Sequence, residues 1–78
     1  MTRQEKIKDM QYAIHALEYR ASCGDYGRAS LEENKNYIAL QRIYTEVCDG
    51  KRITPQIQKA FARAELWLSN DITCGGYC

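Results

Sequence analysis

The residues best suited to nucleophilic or metal chemistry in this chain are Cys23, Cys48, Cys74, Cys78 and a single histidine, His15. A structural zinc site takes four tetrahedral ligands, usually from close-spaced pairs such as C-x2-C. Cys74 and Cys78 form one loose pair in a glycine-rich stretch, while Cys23 and Cys48 stand alone. These two fall at the ends of successive expected helices, about 35 Å apart at 1.5 Å per residue, and cannot share an ion within one subunit. No metal and no cofactor is expected. An even cysteine count would suit a disulfide framework in a secreted chain, but the opening MTRQEKIKDM is charged and lacks the apolar run of a secretory leader. The expectation is a cytoplasmic protein with free thiols.

His15 is the one side chain whose ordinary pKa lies near neutrality. Nucleophilic catalysis would require a serine or cysteine and an orienting acid beside it. Its neighbours Ile14 and Leu17 belong to an apolar seam, and about 100° of rotation from Ile14 leaves His15 at the boundary or in solvent. The pair Glu32-Glu33 opens a helix, where negative charge offsets the helix dipole. No catalytic residue is assigned, and the chain is read as a non-enzyme.

The stretch Gly24-Asp25-Tyr26-Gly27-Arg28-Ala29-Ser30 is the candidate ligand site. It offers an aromatic ring, an arginine fork suited to phosphate oxygens, and the N–H groups of a helix start expected at Ser30. Tyr26, Arg28 and Ser30 would carry the contacts. The stretch is not a P-loop, since G-K-[ST] does not follow its glycines and no strand precedes it.

Three helices are expected to position these groups: about residues 3–22, 30–49 and 55–69, with a short flexible tail at 70–78. Thr2 and Glu5 have capping-box spacing, as do Ser30 and Glu33. The first helix carries Ile7, Met10, Ile14, Leu17 and Ala21 at the 3-4-3-4 spacing of helices packed nearly parallel or antiparallel. Cys23-Gly24 ends it, with glycine expected in the left-handed conformation. The middle helix places Tyr37, Leu40, Ile43, Tyr44 and Val47 in one stripe, with Leu31 and Ile38 outside it, so one helix would need two covers. Asp49-Gly50 reverses the chain, and Lys51-Arg52 supply cations near the helix C-terminus. Thr54-Pro55 reads as an N-cap followed by proline at the first helical position. Ile57, Phe61, Ala64 and Leu68 then line one face of the third helix. The fold class is all-α, a small three-helix bundle with an N-terminal αα-hairpin, in a single domain over 1–78.

Charge balance restricts the partners. With 11 basic and 10 acidic residues the chain is nearly neutral, so nothing draws it strongly to nucleic acid. No apolar run approaches the roughly 20 residues that span a bilayer. Six tyrosines are many for 78 residues, and tyrosine is enriched at protein interfaces because it joins an apolar face to a polar tip. The function expected is a non-catalytic protein-binding module of inhibitor or adaptor type, acting on a larger protein through tyrosine-bearing helical faces. The alternative is a nucleotide or phosphate binder using the 24–30 loop. A core this small is marginal alone. Self-association is therefore also expected, a dimer above all, through Leu31, Tyr37, Ile38, Tyr44 and Trp67.

Overall fold

The computed structural model describes residues 2–24 and 26–75, and every regular element in them is a helix. In chain order these are α1 (Arg3–Cys23), α2 (Arg28–Glu33), α3 (Lys35–Cys48) and α4 (Pro55–Gly75). The all-α bundle holds, with one more helix than the sequence pattern implies. The long helices α1 and α4 each have 21 residues, about 31 Å at 1.5 Å per residue. They set the long dimension of a 38 × 19 × 19 Å body.

Local sequence explains each start and stop. The Thr2 hydroxyl accepts from the Glu5 N–H at 3.2 Å, and the Glu5 carboxylate accepts from the Thr2 N–H at 3.5 Å, so the expected capping box closes α1. Thr54 caps α4, its hydroxyl accepting from the Ile57 N–H at 3.2 Å. After α3, Gly50 takes a φ of 114°. The Gly50 N–H donates to the Val47 carbonyl at 3.1 Å and the Lys51 N–H to the Glu46 carbonyl at 3.0 Å. This is a Schellman closure, which places glycine where a side chain would be strained. Gly24 departs from expectation: it ends α1 in an extended conformation, φ −102° and ψ −170°. The positive φ falls instead on Gly27, at 86°, immediately before α2.

The expected middle helix is broken at Asn34, which ends α2 and caps α3. Its side-chain oxygen accepts from the N–H of Asn36 at 2.8 Å and of Tyr37 at 3.4 Å. The helix therefore starts at Arg28, ahead of Ser30, and the Ser30–Glu33 capping box does not form. Nor does the last helix stop at residue 69. Residues 70–75 continue α4, and Ile72 packs on the core four residues after Leu68. Of the expected tail only 76–78, which include Tyr77 and Cys78, lie outside the described residues.

The core draws on every helix. Met10, Ile14, Leu17 and Ala21 come from α1, Leu31 from α2, Tyr37, Leu40 and Val47 from α3, and Phe61, Ala64 and Leu68 from α4. The seam read in α1 is thus its buried face. Polar clips fix the relative heights of the helices. Arg3 donates to the carbonyls of Val47 and Lys51, so the cation at the C-terminus of α3 comes from the first turn of α1. Arg20 donates to the Ser69 hydroxyl at 2.8 Å and the Thr73 hydroxyl at 2.6 Å, tying the C-terminal ends of α1 and α4 together. Consequently α1 and α4 run parallel to each other, and α3 runs antiparallel to both.

Candidate interaction surface

The three residues proposed for a ligand do not converge. The Tyr26 hydroxyl accepts from the Asn34 side-chain amide at 2.6 Å, turned toward the break between α2 and α3. Arg28 points along its own helix and pairs with Glu32 at 3.3 Å, one turn on. Ser30 sits exposed inside α2. Since α2 has only six residues, few peptide dipoles add up at its start to favour an anion.

The residues proposed for an interface divide. Leu31 and Tyr37 are buried, at 0% and 7% exposure, and belong to the core. Tyr44 is half-buried against that core. Ile38 and Trp67 are exposed, at 47% and 51%. These last two do not make one patch. Tyr37 and Gln41 turn toward Glu18 on α1, while Asn36 turns toward Asp71 on α4. Ile38 lies about 100° beyond Tyr37, away from Asn36, whereas Trp67 lies one turn before Asp71. Arg63 stacks over the Trp67 ring at 5.8 Å.

Tyr37 connects α1 to α3 by donating to Glu18 at 2.5 Å while accepting from the Gln41 amide at 2.7 Å. Its pKa is raised, first by burial and next by the hydrogen bond to the Glu18 carboxylate, and Gln41 and Arg28 offset this only in part. Two other tyrosines, Tyr19 and Tyr44, are also raised, each chiefly by the thiol four residues on, Cys23 or Cys48. Both thiols are free and exposed. His15 is exposed, as its position relative to Ile14 implies. Among the described residues, no three of His, Cys, Asp and Glu come together in a way that could hold a metal ion.

A broad concave surface lies between α1 and α4, which the sequence pattern does not single out. A groove of about 520 Å³ has Met10, Ala13, Ala16 and Phe61 as its floor, with Lys6, Asp9, Tyr12, Gln58 and Glu65 around it. A second hollow of about 370 Å³ continues it toward Arg20 and Ser69, bounded by Ala16, Ala62 and Leu66. Small side chains make this space: Ala13, Ala16 and Ala62 stand where larger residues would have filled the gap between parallel helices. Of the three most exposed large apolar residues described, Tyr12 at 77% lines the first hollow and Leu66 at 60% the second, while Tyr19 at 70% lies with Tyr12 and His15 on a further hollow formed by α1 alone. A repeat in α1 marks the exposed tyrosines, though not the groove. Tyr12, Ala16, Tyr19 and Cys23 repeat the 4-3-4 spacing on the side of the helix roughly opposite the buried seam.

Comparison with known proteins finds no family model, no curated protein and no solved structure that matches this chain.

Proposed function

We propose that this chain is a non-catalytic protein-binding module, of inhibitor or adaptor type, whose contact surface is the face built by α1 and α4. The observation that supports it most is that Tyr12 and Leu66, each more than half exposed, line the two hollows between α1 and α4, with the exposed Tyr19 on the adjoining surface of α1. Exposed tyrosine and leucine scattered singly would need no explanation. Gathered beside a groove, they have the composition of an interface, with large rigid side chains for anchors and hollows for the partner's anchors. The groove follows two helices of 21 residues and suits an elongated guest such as a helix. A cytoplasmic setting, in which the exposed Cys23 and Cys48 stay reduced, is part of this proposal. No helix among the described residues is long and apolar enough to cross a membrane.

The test is affinity capture from lysate of the source cells, with the wild-type chain and Leu66→Glu immobilised side by side. A protein retained in stoichiometric amount by the first and not by the second supports the assignment. Retention of nothing, or equal retention by both, removes it.

A further inference from the structure

We infer that the solvent face of the α3–α4 pair, opposite α1, binds single-stranded nucleic acid, with Trp67 stacking on a base and Lys35, Arg42, Lys59 and Arg63 holding phosphates. The seam between the two helices is located by the bond from the Asn36 side-chain amide to the Asp71 carboxylate. On α4, Lys59, Arg63 and Trp67 precede Asp71 at successive four-residue steps and so follow one ridge back from that bond. On α3, Tyr37 turns toward α1 one position after Asn36. Lys35, one position before Asn36, therefore turns about 100° the other way, and Arg42, seven positions on from Lys35, shares that side. Because the helices are antiparallel and Asn36 is level with Asp71, Arg42 comes level with residue 65, between Arg63 and Trp67. The four cations and the indole thus line one strip roughly 20 Å long at about 1.5 Å per residue.

The net charge of +1 hides this local excess. All four cations are exposed, and among the described residues none of them has an ion pair or a side-chain hydrogen bond. The carboxylates nearest the strip are already engaged, Glu46 by Lys51 at 3.4 Å and Asp71 by Asn34 and Asn36. Glu33 and Asp49 lie beyond its two ends. Trp67 is half exposed, with the Arg63 guanidinium 5.8 Å from its ring centre. A ring bordered by unpaired cations is a poor anchor for an apolar protein contact, where charged residues are depleted at the centre. Positive charge that tracks a backbone beside an aromatic stacking platform is instead the arrangement that holds single strands. Their unpaired bases can leave the stack, whereas a duplex offers the indole no free base face.

Titration of the chain with a short oligothymidylate decides the matter, and Trp67 is its reporter as the one tryptophan present. Binding should quench its emission. Affinity should fall about fifty-fold between roughly 50 and 200 mM salt, as four phosphate contacts on a single strand require. Arg42→Glu and Arg63→Glu should each weaken binding about tenfold or more, while Lys8→Glu, the same charge change at an exposed site on α1, should weaken it less than about threefold. Trp67→Ala should lose about fivefold or more through the missing stack. Circular dichroism checks that each variant stays helical, and if Arg63→Glu does not, Lys59→Glu at an exposed site gives the same readout. Absence of binding at about 50 mM salt, binding that leaves the Trp67 emission unchanged, or an equal loss with Lys8→Glu overturns the inference. Equal affinity for a duplex of the same length, or for oligoglutamate, overturns it as well.

Discussion

The side-chain amide of Asn34 donates to the Asp71 carboxylate at 3.0 Å, joining the break in the middle of the chain to the last turns of α4. The same nitrogen donates to the Tyr26 hydroxyl, and the same carboxylate accepts from Asn36 at 3.2 Å. Because the Asn34 oxygen also caps α3, one side chain satisfies two backbone N–H groups and fastens three segments. The break is therefore a built joint that sets the direction of α2 against α3.

Replacing Asn34 should separate these roles. Asn34→Ala removes the cap and the links to Tyr26 and Asp71, and should cost about 2 kcal/mol, combining a typical cap loss with a net hydrogen bond. Asn34→Asp keeps an acceptor for the cap but gives up the donors and faces Asp71 with like charge. It should lose roughly 1 kcal/mol. Urea unfolding followed by circular dichroism would rank the two, and equal stability of wild type and Asn34→Ala would show that the joint contributes nothing.

How much of this could be read in advance depended on whether the information was local. The caps of Thr2 and Thr54 and the reversal at Asp49-Gly50 involve neighbours in sequence, and each appears as expected. The seam of α1 was legible because its periodicity is undisturbed over Ile7 to Ala21. The joint at Asn34 was not, since Glu33-Asn34-Lys35 tolerates a helix and what favours the break lies far away at Asp71. A trace did exist: Leu31 falls out of phase with the Tyr37 stripe. That phase error marks a break in the helix and not a second buried face. The extension of α4 was hidden similarly, because Ile72-Thr73-Cys74-Gly75 has poor helix propensity and is held by Arg20, Asn34 and Asn36 from elsewhere. The candidate site was the least legible, since a groove depends on which two helices lie side by side.

Removing the end of α4 should be costly. A chain terminated after Asn70 lacks Asp71, Ile72 and Thr73, and so loses partners of Asn34, Asn36 and Arg20 together with apolar packing on the core. A loss of about 2–4 kcal/mol is expected from one buried aliphatic contact plus exposed hydrogen bonds. That is a large share of the stability of a domain this size, and thermal unfolding should show it as a drop of about ten degrees or more. An unchanged Tm would mean that these residues do not support the fold.

Alkaline pH should weaken the contact between α1 and α3. The folded pKa of Tyr37 is raised above its ordinary value, first by burial and then by Glu18. The folded state therefore holds the phenolic proton more tightly than the unfolded chain. Its contribution is complete below the unfolded value of about 10 and declines as pH rises toward the folded one. Tyr37→Phe should be less stable than wild type at pH 7 by about 1 kcal/mol through the lost hydrogen bonds. The gap should narrow above about pH 10, because phenylalanine has no proton to lose. A gap constant from about pH 7 to 11 would count against this role for Tyr37.

Leu31 and Ile38 were expected to share one outer face, and the structure gives them opposite fates. Leu31 is fully covered and Ile38 is 47% exposed. A continuous helix would have left both outside the Tyr37 stripe. The turn at Asn34 reorients α2, so Leu31 enters the same core as Leu40 and Leu68. Leu31→Ala should then cost about 2–5 kcal/mol, the usual range for deleting a buried leucine side chain. Ile38→Ala should change stability by less than about 1 kcal/mol, as surface substitutions generally do. The comparison is best made by denaturant midpoint at a protein concentration low enough that association plays no part. Similar costs for both would mean that Leu31 is not in the core or that Ile38 is covered.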